Sequence, residues 1–283
     1  MNKPTITCKN CKNNFAGKYC NHCGEKVYQE KDRKIIHLFE EVFHFITHFE
    51  GTFFTTIKTI FTKPGLVSMD YCDGIRKKYF KPLSLFLLLV VLYLLFPLAN
   101  GLNMPLESHM ENGKYGEYAT TKVNNYLAAH PDQNLASLQE HFTTKSEKLS
   151  KILLLFIIPV CALVLWPISF FRKKFFFDHM VLSSEINSFF LMINFFILPL
   201  VIIVIRLTSK LFDASSAWLN DDVYTFTGQI ITGIYSAHAF KRFYGFNLVQ
   251  RIVSATIFIL IHSFIVYTMY KFFLFVTVFY QIH

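Results

Sequence analysis

Charge is scarce in this chain. Only 17% of its 283 residues are Asp, Glu, Lys or Arg, where a soluble domain carries about 25%. That shortage, in a chain of this length, excludes an ordinary cytosolic enzyme, a disordered chain and a disulfide-built mini-protein. Catalytic signatures are missing as well. There is no Gly-x-Ser-x-Gly elbow, no phosphate-cradling loop and no His-Glu-x-x-His pair. No block of 20–50 residues repeats, so solenoids and inverted-repeat transporters gain no support. The first residues, MNKPTITCKNCKNNF, hold no apolar run of the kind a secretory signal needs. The amino terminus is therefore expected in the cytosol, where thiols stay reduced.

What the chain has in abundance is hydrocarbon: 53% apolar residues, 33 of them Phe. Crossing a bilayer core of about 30 Å takes roughly 20 apolar residues in a helix. Pro82–Gly101, Ile152–Phe171, Ile186–Ile205 and a stretch from Ile252 to at least Tyr270 fit. A fifth segment, Val223–Phe240, carries Gly228, Gln229, Gly233 and His238. Small and polar residues suit a span packed among other helices. The sequence thus predicts an all-α polytopic membrane protein of about five transmembrane helices. It divides into a cysteine module over residues 1–28, a cytosolic amphipathic interfacial segment over 29–81, and a transmembrane helical domain over 82–283. Within the last, residues 102–150 form an extracytoplasmic loop.

Charge sets the orientation. Half of the 28 Lys and Arg residues precede Pro82, and Arg172–Lys174, Lys241, Arg242 and Arg251 fall on the same side in a five-span layout. By the positive-inside rule that side is cytosolic. The carboxyl terminus is then extracytoplasmic, and a cytoplasmic (inner) membrane is the expected location. The net charge of +9 reads as topology and as attraction to anionic headgroups. Nucleic acid is not an expected partner, because no basic face with aromatic or motif support accompanies it.

Two Cys-x-x-C pairs stand eight residues apart: Cys8 and Cys11, then Cys20 and Cys23. Four thiolates close a tetrahedron round one ion and leave no open position, which is the pattern of structural Zn2+. Gly17 and Gly24 can supply turns with positive φ. A module this small cannot build a core, so metal would supply its folding energy.

Residues Ile35–Phe61 carry a helical apolar stripe, and His37, Glu41, His44 and His48 line one face at steps of four, three and four. They are candidates for a second polar site, or for the solvated side of a helix lying on the membrane. Lys63-Pro64-Gly65 ends that helix. Arg76, Lys77, Lys78 and Lys81 stand just before the first span, while Asp178, His179, Lys241 and Arg242 fall near the same interface. These eight are the candidates for contact with lipid phosphate, and Asp178 with Arg242 can equally form a structural ion pair.

With these residues in view the chain resembles a bacterial membrane family, domain-of-unknown-function family 3667. The likeness rests on the four-Cys ribbon, the Thr56–Gly65 stretch, Gly74-x-Arg76-x-x-Tyr79-x-x-Pro82, Asp178-His179-Met180-Val181 and Phe240-x-x-x-Tyr244-Gly245. The resemblance implies a zinc-ribbon-bearing membrane protein and supplies no reaction. It also leads one to expect a second His near Glu185, where this chain has Ser184, Ile186 and Asn187, so a His-pair metal site is not expected there. The functional expectation is a non-enzymatic subunit or accessory of an envelope transport or assembly complex, its ribbon docking a cytosolic or membrane protein partner. A homo-oligomer is the other expected assembly. The alternatives are a lipid or small-solute transporter, and a membrane-embedded lipid-modifying enzyme using His179, Glu185 or His238.

Overall fold

A computed structural model describes residues 5–8, 11–17, 19–23, 51–96, 104–172, 174–211 and 221–282. The chain divides into two compact units, Met1–Gly51 and Thr52–His283.

In the first unit two short strands, β1 (Ile6–Thr7) and β2 (Asn14–Phe15), pair antiparallel with Ile6 opposite Phe15. The turn between them is tied by the Cys8 N–H donating to the Asn13 carbonyl (2.8 Å) and the Lys12 N–H donating to the Cys8 carbonyl (3.0 Å). Lys12 takes φ 62° and Gly17 φ 130°. Cys8, Phe15 and Cys20 form the small buried cluster. Gly24, His37, Glu41, His44 and His48 lie outside the described residues.

Among the described residues of the second unit the regular structure is all helical. Helix α1 covers the described residues 51–62. It is followed by α2 (Leu66–Cys72), α3 (Pro82–Leu95), α4 (Leu106–Met110), α5 (Gly116–Ala129) and α6 (Leu135–Ile168). Helices α7 (Phe176–Leu191) and α8 (Leu198–Leu211) are joined by a π-helical turn, Met192–Ile197. After α9 (Asp221–Tyr244), α10 (Leu248–Phe264) and α11 (Tyr270–Ile282) are joined by another π-turn, Ile265–Met269.

Among the described residues two helices are long and apolar enough to cross a membrane, Phe176–Lys210 and Leu248–Ile282, each 35 residues. A third crossing is available if Leu135–Ser150 and Ile152–Ile168, bent by 47°, act as one span. The five crossings expected from hydropathy are thus only partly matched. Helix α3 has 14 residues, about 21 Å at the α-helical rise, and α9 is not apolar enough to count. The bend in α6 falls at residues 150–152, not at Pro159 or Pro167, which stay inside the helix.

Helix α7 is the axis of the packing. It is covered by α6, α3, α2 and α9, and nearly every residue from Asp178 to Phe195 is buried. That burial explains its composition: Ser183, Ser184, Asn187 and Ser188 are small or polar residues bonded within the helix or to a neighbour. Small side chains let helices approach closely where lipid offers no hydrophobic gain. Elsewhere α4, α5 and the start of α6 fold over α11 as an aromatic lobe. His109, Tyr115, Tyr126 and Phe142 pack there against Phe272, Phe275 and Phe279.

Candidate functional site

The hairpin in the first unit brings the two Cys pairs together. All four Sγ atoms lie within 4.8 Å of one another. Cys8 Sγ stands 3.6 Å from Cys23 Sγ, and Cys11 Sγ 3.5 Å from Cys20 Sγ. These separations are far beyond a disulfide bond. They approach the edge of about 3.8 Å that a tetrahedron with metal–sulfur bonds near 2.3 Å requires. Asn13 Nδ2 donates to Asn21 Oδ1 (3.0 Å), bridging the two knuckles. The donor set therefore fits a soft ion closed on four sides. Burial raises the Cys20 thiol, but the backbone N–H groups of Cys23 and His22 outweigh it and pull the thiol down to about 6. At Cys11 the Asn13 backbone lowers the thiol, yet burial and the three neighbouring sulfurs push it up to about 12. Four thiols in one place cannot all ionise without a cation among them.

The second constellation lies in the helical unit and was not legible as a site. Glu185, on α7, is 1% exposed and accepts four hydrogen bonds. Gly65 N–H (2.7 Å) and the Tyr235 hydroxyl (2.8 Å) donate to Oε1. Ser68 N–H (2.7 Å) and the Ser68 hydroxyl donate to Oε2. Two of these donors are first-turn N–H groups that a helix leaves without an internal partner. A carboxylate at a helix N-terminus also meets the positive end of its dipole. Glu185 thus caps α2 from another helix, which explains why Gly65 needs no capping side chain of its own. Gly65 takes φ 77°, and a Cβ there would stand 2.8 Å from the Ala239 carbonyl oxygen. Only glycine lets the turn sit this close to α9. Arg242 donates to the Pro64 carbonyl, and Tyr235 stacks on Phe189 with ring centroids 3.8 Å apart.

The other motif residues hold the same connection. Thr56 Oγ1 accepts from the Phe80 N–H (2.8 Å). Gly74 turns with φ 93°. Asp70 takes the Tyr79 hydroxyl (2.8 Å) and pairs with Lys78 (3.0 Å). Burial raises the Asp70 carboxyl, but the bonds from Lys78 and Tyr79 win and hold it below its ordinary value. Pro82 opens α3 at its first position, where the missing N–H costs nothing.

The interface candidates do not form one cluster. Asp178 accepts from the Phe175 N–H (3.0 Å) and starts α7. His179 Nδ1 bonds the Tyr244 hydroxyl (2.8 Å), both buried, so the Asp178-His179 and Tyr244-Gly245 blocks meet in space. Arg242 is occupied by Pro64, and no Asp178–Arg242 ion pair is present among the described residues. Arg76 bonds the Tyr71 carbonyl and lies 5.0 Å from that ring. Lys77, Lys81 and Lys241 are exposed. His262 Nε2 meets Asn187 Oδ1 on α7 (3.2 Å), and His238 is exposed with Nδ1 beside the Ile234 carbonyl.

No curated protein and no solved structure matches this chain. Residues 50–94 match the sequence model of a family described as "Protein of unknown function (DUF3667)". Gly65 and Ser68, which donate to Glu185, and Pro64, which accepts from Arg242, lie inside the matched stretch, and so do Thr56, Asp70, Gly74, Tyr79 and Pro82. Over this stretch, which docks on α7 and α9, the chain is similar to that family of proteins of unknown function.

Proposed function

We propose that this protein is a non-enzymatic accessory subunit of a bacterial cytoplasmic membrane, whose amino-terminal ribbon holds structural zinc and docks a protein partner from the cytosolic side. The observation that carries the reading is the closed thiol set. Cys8, Cys11, Cys20 and Cys23 would hold the ion, and its chemistry there is to fix the chain, since four sulfurs leave no position for substrate or water. A rigid knuckle of this size serves as a contact surface.

The distribution of polar groups in the helical unit supports the same view. Two of the three side chains a lipid-modifying enzyme would use are engaged structurally: Glu185 with four donors, His179 with Tyr244. Contacts at the helix ends support a five-crossing layout. Arg172 reaches the Gly245 carbonyl and Gln250, and Arg242 reaches Pro64, which gathers the basic connections at one end. Lys114 bonds Thr268 and Lys145 bonds the Gln281 carbonyl, which gathers the 104–150 lobe at the other. The exposed lysines then face anionic headgroups on the cytosolic side.

The test is affinity purification of the full chain from native membranes after mild cross-linking, beside a Cys8→Ser/Cys20→Ser variant. The expected result is one protein recovered in fixed ratio with the wild type and lost with the variant. Wild-type chain that arrives alone, or a partner retained equally by the variant, would remove the docking role.

A further inference from the structure

Both 35-residue helices are interrupted by π-turns. An extra residue in a helical turn weakens its hydrogen bonding, and such turns persist mostly where they serve function. The two turns face a common neighbour. Asn194, inside Met192–Ile197, is 0% exposed. Its Nδ2 donates to the Phe190 carbonyl (3.0 Å), and its Oδ1 has no partner among the described residues. That oxygen rests against Gly228 of α9, where a Cβ would stand 1.8 Å from it. Glycine at 228 is what admits the asparagine.

Gln229 follows directly. It is 9% exposed, and both its amide oxygen and its amide nitrogen are without a partner among the described residues. Tyr267, inside Ile265–Met269, sets its hydroxyl beside Gln229 and its ring 6.4 Å from that of Phe190. The contacts close on themselves: Asn194, Phe190, Tyr267, Gln229, Gly228 and back to Asn194. Three polar side chains from three helical segments thus converge, offering two acceptor oxygens, an amide donor and a hydroxyl. None of the residues in this ring carries a charge. Polar groups at such depth in a membrane helix bundle are costly unless bonded. A buried water or alcohol needs two to four polar partners, which this ring supplies.

We propose that Asn194, Gln229 and Tyr267 form a binding site for a small neutral molecule that both donates and accepts hydrogen bonds, either water or a compact polyol. The proposal is independent of the docking role. A charged ligand is disfavoured, because nothing in the ring neutralises it.

The experiment is solid-state NMR of the full chain in lipid bilayers with 15N-labelled glutamine side chains. The Gln229 signal is identified by its loss in Gln229→Leu, or by its loss in Gln229→Glu should the leucine variant fail to accumulate. Magnetisation transfer from water to the Gln229 amide would identify water as the occupant. Transfer from added 13C-glycerol, with the water signal displaced, would identify a polyol. In either case Asn194→Leu is expected to weaken the transfer several-fold without touching the Gln133 side chain in the distant lobe. Transfer from neither source would overturn the proposal.

Discussion

The two units of this chain hold their shape by opposite means. The amino-terminal unit buries Cys8, Phe15 and Cys20 and joins two strands of two residues. The apolar burial is too small to order it, so the four sulfurs need a cation. The helical unit buries a continuous core from Ile60 to Phe279 and adds polar locks between helices, with the Glu185 carboxylate as the most heavily bonded. One unit is a short hairpin that gathers four thiols able to hold a metal ion; the other is a packed bundle tied by hydrogen bonds. Conditions that dismantle one should therefore leave the other standing.

The largest effect is expected from metal removal. Structural zinc contributes on the order of 10–16 kcal/mol in small thiolate-bound modules at neutral pH. Chelation, or Cys8→Ser with Cys20→Ser, should abolish bound zinc measured by mass spectrometry and open residues 5–23 to protease. The thermal midpoint of the helical unit should not move. Acid should act the same way, because protons compete with the ion for the four sulfurs. Loss of helical stability on chelation would break the division between the units.

Next in size is the carboxylate lock. Glu185→Ala would leave Gly65 N–H, Ser68 N–H, Ser68 Oγ and the Tyr235 hydroxyl without their acceptor. Leaving a buried donor without its acceptor costs about 1–3 kcal/mol, and this change strands four of them. The midpoint of the purified protein in lipid nanodiscs should fall accordingly, with zinc content unchanged. A drop no larger than that of an exposed control such as Lys77→Ala would show that the lock is ornamental.

The same residue shows where sequence reading stops. Helical membrane class, the Cys8–Cys23 metal set and the Pro64–Gly65 break were legible, because each is local: run length, ligand spacing, a helix breaker. The Glu185 network was not. Its donors lie 50, 117 and 120 positions away along the chain, and Ser68 and Tyr235 carry no local signal that marks them. The motif glycines could be recognised as a pattern, but the reason for Gly65, an Ala239 backbone 2.8 Å from its missing Cβ, exists only in three dimensions. Hydropathy leaves the number of crossings open for a related reason. It scores each segment alone, whereas α9 buries Gln229, Thr232 and Ser236 against other helices and so need not be apolar.

A third effect sharpens the contrast within the helical unit, in the lobe outside the apolar spans. His109 is fully buried, its Nδ1 bonded to the Tyr115 hydroxyl (2.8 Å) among the rings of Phe142 and Phe275. Burial, aided by Lys271, lowers it from 6.5 to about 4. The folded state thus disfavours the proton that the unfolded chain accepts. Its stability contribution is intact above pH 6.5 and declines as pH falls from there towards 4. A shift of this size corresponds to roughly 3 kcal/mol. Amide exchange in residues 106–129 should quicken over that window, and His109→Phe should flatten the response. A lobe equally protected at pH 7 and pH 4.5 would contradict the assignment.

The smallest effect belongs to the exposed cations. Lys77, Lys81 and Lys241 are exposed; Lys78 is exposed too, but it pairs with Asp70. Surface charges of this kind add little to folding, but each basic residue near an anionic leaflet contributes on the order of 1 kcal/mol of attraction. The triple change to glutamine should therefore leave the thermal midpoint in neutral lipid unmoved. It should remove most of the stabilisation gained on adding anionic lipid, and salt should erase that gain in the wild type over the screening range of about 8 Å at physiological ionic strength. Lys78→Gln should do the reverse, lowering stability in neutral lipid by a few tenths to about 1 kcal/mol through Asp70. Two lysines, adjacent in sequence, would then report on different physics: one on the lipid outside, the other on the turn that leads into α3. If both variants behaved alike, the separation of lipid-facing from structural cations would fail, and Lys77, Lys81 and Lys241 would have to be reassigned to the fold.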